Sequence, residues 1–180
     1  MQLQGLTGFA LFCDLCHDFF FQGTLALAEL TRSPSFDAAV QHCDLNVHSV
    51  LMAEGCLPAF LGCLQLQGDL DLLRASLTAL ANLSETQEQL CAQVMEDEKS
   101  LSCLYQLAGS PTQHVARECA RFLANCASKL GARLMERLPV SHKPNFAQAV
   151  SHLMQHTDKH CRKHASLVQT CIDGATVGAQ

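Results

Sequence analysis

The chain has 180 residues, 48% of them hydrophobic and 16% charged, and a formal net charge of −5. That is enough apolar material for one sizeable core, and no stretch reaches the roughly 18 uninterrupted apolar residues of a membrane span. Charge is divided along the chain: residues 1–112 hold 3 basic and 13 acidic side chains, whereas residues 113–180 hold 9 and 4. An acidic front half and a basic rear half are expected.

In chain order, the most apolar segment comes first. GFALFCDLCHDFFFQG (8–23) carries Asp14, His17 and Asp18 with no basic residue before it, so it reads poorly as a signal peptide. Eleven cysteines, an odd number without framework spacing, suit reduced thiols used as small core residues in a cytoplasmic protein. By the same logic Asn82-Leu83-Ser84 is a glycosylation sequon in form only. A helical segment at 23–31 is followed by a longer connection at 31–44. In NVHSVLMAEGCLPAFLGCLQLQGD (46–69) a short helix ends at Glu54-Gly55, where glycine suits a left-handed C-terminus. Leu57-Pro58 opens a second helix, since proline is tolerated where the first-turn N–H has no intrahelical partner. Gly68-Asp69 closes that helix, and Asp69 caps a third. The next unit repeats the order over 86–97, 99–109 and 110–128, with Ser110-Pro111 at a turn. The last runs over 132–140, 145–156 and 159–171. No strand-like alternation competes, so the reading is all-α.

The third helices echo one another. SLTALANLSE (76–85) returns 43 residues later as CARFLANCAS (119–128), with Arg74 over Arg117, Leu77 over Ala120 and Leu80 over Leu123. A further 45 residues on, CRKHASLVQTC places Arg162, Ala165, Val168, Thr170 and Cys171 in the same register, and GTLALAELT (23–31) matches upstream at an offset of 53. Short, medium and longer helices with a period near 43, and small residues where helices approach, are the organisation of a solenoid. The segment AEGCLPAFLGCL…LLRASLTALANLS resembles the armadillo repeat, with its Gly-x-Leu-Pro-x-Leu/Phe between the first two helices and Ala-Leu-x-Asn-Leu near the end of the third. The resemblance covers 46–128 well, 130–172 loosely and 1–45 poorly. It implies a right-handed α-solenoid of armadillo/HEAT-like three-helix repeats in one domain over 1–180. Units are expected near 1–31 (partial), 46–84, 86–128 and 132–172, with a tail at 174–180. The apolar start MQLQGLTGFALF reads as an uncapped face, so an adjoining domain or chain is expected there and the chain is expected to be part of a longer protein.

Leu80 and Leu123 belong to the core face, and Asn82 and Asn125, about 200° further round the helix, point away from it. The resemblance implies that these asparagines line a concave groove, where an amide with both donor and acceptor pairs with the backbone of a bound peptide. The alternative is that each amide satisfies a helix terminus of the neighbouring repeat. Four residues before the asparagines stand Thr78 and Arg121. Family members that recognise basic nuclear-localisation peptides usually have tryptophan there, and this chain has none, which argues against import of classical signals. The paired positions of the outer units are Leu25/Glu29 and Ser166/Thr170. The expected partner-binding set is therefore Asn82, Asn125, Thr78, Arg121, Glu29 and Thr170, in a groove running from acidic to weakly basic. Arg121 would favour an acidic or carbonyl-rich segment. The implied function is a non-enzymatic scaffold or adaptor for an extended or helical segment of a protein partner, with no cofactor.

Other motifs weigh less. Cys13, Cys16 and His17 form a Cys-x-x-Cys-His pattern that suits zinc or covalent haem, with His42-Cys43 as a source of a fourth zinc ligand. His152, His156, His160 and His164 recur at every fourth position, but a helix break near Thr157-Asp158 separates them into two pairs. The basic run from Arg117 to Lys163 offers nucleic-acid binding as an alternative function, but it lacks interleaved aromatics, so a solvated face or an acidic protein partner is expected first. There is no glycine-rich phosphate loop, no Gly-x-Ser-x-Gly elbow and no His-Glu-x-x-His, so no catalytic set emerges.

Overall fold

The computed structural model describes residues 56–65 and 69–177, and the expected units before residue 56 lie outside them. The described residues form helices α1 (Cys56–Gln65), α2 (Leu70–Ser84), α3 (Glu88–Glu96), α4 (Glu98–Ala108), α5 (Gln113–Leu130), α6 (Arg133–Arg137), α7 (Lys143–Met154) and α8 (Lys159–Val177). A 3-10 turn at Val140–His142 leads into α7, and no strand occurs among them.

Aspartates set several helix starts. The Asp69 carboxylate accepts the N–H groups of Asp71 and Leu72 at 3.0 and 2.9 Å, which caps α2 as its sequence position predicts. Asp97 caps α4 by accepting the Ser100 N–H at 2.8 Å and also the Ser100 hydroxyl. Those two bonds hold its carboxyl below the ordinary carboxylate range. Asp158 does the same for α8, accepting from the N–H groups of His160 and Cys161. At the other end of α5, Gly131 adopts φ 54° while its N–H reaches back to the Ala127 carbonyl. That is a left-handed stop for which glycine is the cheapest residue.

Two boundaries differ from expectation. The helix expected over 132–140 is only five residues long, because Leu138 is extended, as the residue before proline prefers, and Pro139 then restarts the chain as a 3-10 turn. The last helix runs to Val177, beyond Cys171 and into the expected tail, with Gly174 inside it. A single interior glycine costs a helix only about 1 kcal/mol and does not stop it.

The helices stack in three ladders. The third helices α2, α5 and α8 lie side by side, the second helices α1, α4 and α7 form another row, and α3 packs on α6. Leu80, Leu101, Leu104, Phe122, Leu123 and Phe146 are fully buried between the rows, each contributing roughly 1.5–3 kcal/mol relative to exposure. Ala79, Ala81, Ala116, Ala120 and Ala127 are buried along the third helices, where small side chains allow close approach. The repeat period reappears in hydrogen bonds that cross the seams. Thr78 and Arg121 are 43 residues apart, Ala81 and Asn125 44, Ala116 and Cys161 45, Glu88 and Arg133 45. Each unit is fastened to the next at one repeat's distance, as in an all-α solenoid.

Candidate functional site

Residues four apart share a helix face, and this spacing places Gln113, Arg117, Arg121 and Asn125 in one stripe along α5. The matching stripe on α2 is Arg74, Thr78 and Asn82, and on α8 it is Arg162, Ser166 and Thr170. Of the sequence-predicted residues, the structure brings Thr78, Asn82, Arg121 and Asn125 together at the α2–α5 seam. Thr170 lies apart on α8, exposed, with its hydroxyl donating to the Ser166 carbonyl of its own helix at 3.0 Å. Glu29 lies outside the described residues.

Arg121 is the hub of the seam. Its Nε and Nη2 donate to Glu118 Oε2 at 3.0 and 2.7 Å, and Nη1 donates to Glu85 Oε1 at 3.0 Å. Nη2 also reaches Asn82 Oδ1 at 2.7 Å and the Thr78 carbonyl at 3.4 Å. Two carboxylates around one guanidinium leave this point net negative, so Arg121 is already neutralised within the chain. Asn82 is 8% exposed, and Thr78 is buried beside it. One turn along, Asn125 Nδ2 donates to the Ala81 carbonyl at 2.8 Å and to Ser84 Oγ at 3.0 Å. It thus serves the last turn of α2, whose carbonyls lack intrahelical donors.

The α5–α8 seam has its own anchor. Asp158 is buried, and its Oδ2 accepts from Arg117 Nη2 and Nε at 2.6 and 3.1 Å and from Gln113 Nε2 at 2.6 Å. Burial alone would raise its pKa. The N–H of Cys161, the guanidinium of Arg117, the amide of Gln113 and the N–H of His160 outweigh burial and hold the carboxyl well below the carboxylate range. Sequence reasoning missed Glu85, Glu118, Gln113 and Asp158 as seam residues. Glu118, three residues before Arg121, had a local signal. Glu85 had none, because only the folded seam brings it near.

The cysteines among the described residues are free thiols. Burial raises the pKa of Cys119 and Cys126, and pushes that of Cys161 up to about 11. No group of three or more His, Cys, Asp or Glu able to hold a metal ion occurs among the described residues. The His pairs are parted by the break between α7 and α8, where His156 Nδ1 accepts the Asp158 N–H at 3.1 Å. The Cys13, Cys16, His17 and His42-Cys43 set lies outside the described residues. On the first-helix side an open depression of about 440 Å³ is lined by Glu88, Gln89, Ala92, Gln93, Glu96 and Arg137. Its carboxylates are paired, Glu88 with Arg133 and Glu96 with Arg137.

Residues 49–85, a span that takes in α1 and α2, match the Armadillo/beta-catenin-like repeat. The chain thus carries an armadillo-like repeat over that span. A search of curated proteins gave no match. Among solved structures, the crystal structure of an engineered protein from the Northeast Structural Genomics Consortium is 13% identical over 86% of this chain and 90% of that chain. Its TM-score is 0.33. Armadillo repeats are in general protein-interaction scaffolds, and no helix among the described residues is long and apolar enough to cross a membrane.

Proposed function

We propose that this armadillo-like chain is a non-enzymatic adaptor that holds an extended or helical segment of a protein partner on its third-helix face, the face that lines the groove in armadillo solenoids. The observation that supports it is the row Arg74, Arg117 and Arg162 on successive third helices. The first two side chains are 48% and 37% exposed, and Arg162 is exposed. One and two turns along the same stripes, Arg121, Asn82 and Asn125 are held by intramolecular bonds, so the row adjoins a rigid surface, which is what recognition requires. The guanidinium row suits carbonyl or carboxylate groups of a bound segment, and exposed Thr170 extends the polar surface. Free, buried thiols suit a reducing, cytoplasmic setting.

Proximity labelling with the full chain tests this. Arg74→Glu combined with Arg162→Glu should remove the labelled partners without changing helicity. An unchanged partner set would refute the face assignment. A transferase or hydrolase activity lost on one cysteine substitution, but retained in the face variants, would overturn the adaptor reading.

A further inference from the structure

The last repeat is charged unlike the others. Between Leu138 and Ile172 the chain has a single carboxylate, Asp158, against Lys143, Lys159, Arg162, Lys163 and five histidines. That carboxylate is buried and belongs to Arg117 and Gln113 of the preceding repeat. Upstream, Arg74, Arg117, Arg121, Arg133 and Arg137 each have a carboxylate within ion-pair distance. Arg162 instead donates to the carbonyls of His156 and Thr157, both at 2.8 Å. Lys159 and Lys163 are exposed and have no ion pair among the described residues.

These cations occupy the first two turns of α8. Cations there oppose the helix dipole, and Lys159 and Lys163, four apart, repel one another. One turn further on the same stripe stands Leu167, 53% exposed. The helix therefore carries an unfavourable charge arrangement and an exposed leucine side by side, and its two lysines are not offset by any ion pair among the described residues. Local violations of this kind are expected where a surface serves a ligand.

We infer that the Lys159–Lys163–Leu167 stripe is a second interaction surface, which docks an acidic protein segment carrying an apolar residue. The stripe spans about 12 Å along the helix, two turns of a partner helix or a few residues of an extended one. Charge complementarity selects the acidic residues, and Leu167 gives the apolar one a contact. A nucleic acid fits less well. Phe60, Phe122 and Phe146 are buried, and Tyr105 is half-buried with its ring packed against His142 at 5.7 Å. No exposed aromatic among the described residues is therefore available for base stacking. The chain's net charge of −5 also opposes a long polyanion. The inference uses none of the seam residues and does not require the row Arg74, Arg117 and Arg162 to bind a ligand.

The test is fluorescence anisotropy on the full chain with a short fluorescein-labelled peptide of glutamates interrupted by two leucines. The same peptide with lysine for glutamate, and oligouridylate, serve as comparators. The acidic peptide should bind most tightly and weaken with salt. Lys159→Glu with Lys163→Glu should weaken it about tenfold, as two surface attractions become repulsions. Leu167→Ser should weaken it further, and Lys99→Glu, at an exposed position of α4, should leave it unchanged. Circular dichroism monitors the fold. If the double reversal unfolds the chain, Lys163→Gln replaces it and should show a smaller loss. Equal binding of the acidic and basic peptides, or no loss in either charge variant, overturns the inference. Tighter binding of oligouridylate assigns the stripe to nucleic acid instead and equally overturns it.

Discussion

Removing the Asn125 side chain tests whether the asparagine repeated along the third helices is a strut or a ligand group. Its Nδ2 donates to the Ala81 carbonyl at 2.8 Å and to Ser84 Oγ at 3.0 Å, and Ser84 is fully buried. Neutral hydrogen bonds contribute about 0.5–1.5 kcal/mol each, so Asn125→Ala should destabilise the chain by about 1–3 kcal/mol. The Ala81 carbonyl keeps the Ser84 hydroxyl at 2.7 Å, which holds the loss toward the lower part of that range. Asn125→Asp is the sharper variant, because it removes both donors and sets a carboxylate against the Ala81 carbonyl. It should cost more than the alanine. Urea unfolding followed by far-UV circular dichroism measures both, with the m-value expected unchanged. A loss below about 0.5 kcal/mol, the range of ordinary surface substitutions, would refute the strut and return the amide to the ligand.

Leu80→Ala or Leu123→Ala should each cost about 2–5 kcal/mol in the same assay, through lost burial and an unfilled cavity. Acid stability should depend on Asp158. Its folded-state pKa is depressed, so its contribution is full above the unfolded carboxylate pKa of about 3.9 and is lost as pH falls through the folded value. Asp158→Asn should accordingly flatten the acid limb of a pH–stability curve. The single tyrosine, Tyr105, is held up to about 12 by burial, so phenolate absorbance should titrate near that value in the native chain and near 10 in urea. A raised acid pKa contributes stability that is complete below about 10 and lost as pH rises toward 12. The thiols of Cys119, Cys126 and Cys161, buried with raised pKa values, should resist alkylation in the native chain, whereas half-buried Cys103 and Cys171 should react before them. Mass mapping of native-state labelling would show it.

What could be read from the sequence was what is local or periodic. The Asp69 cap, the order of helices and the burial of Leu80 and Leu123 follow from spacing and end chemistry within a few residues. Pro139 was equally visible, and the expected helix should have stopped before Leu138, because the residue preceding proline disfavours the helical region. The asparagines show where helical-wheel reasoning ends. An angle of about 200° from Leu123 correctly takes Asn125 out of its own unit's core, but in a solenoid that direction is occupied by the preceding third helix. Likewise Arg121 reads as an available cation until the fold brings Glu85, 36 residues away, to its Nη1. Periodicity locates a stripe. Only packing decides which members of the stripe face solvent.

That division explains why position 121 is arginine. Thr78 occupies the corresponding place on α2 and Ser166 on α8, so the repeat itself does not require a cation there. The α2–α5 seam does, because it presents Glu118, nearly buried, together with Glu85, Asn82 Oδ1 and the Thr78 carbonyl. These acceptors converge from two helices on one planar fork. A lysine ammonium has three donors and no fork, and it would leave at least one of them unmet. Glu118 without its partner would be a nearly buried charge, which is costlier than the loss of the attraction itself. The guanidinium therefore fixes how far α5 can slide or rotate against α2, and with it the spacing between Arg74 and Arg117 on the outer surface. Thr78, Asn82, Arg121 and Asn125, bonded to one another and to the α2 backbone, therefore do not compete with the arginine row for a ligand. They determine the spacing at which that row can be recognised.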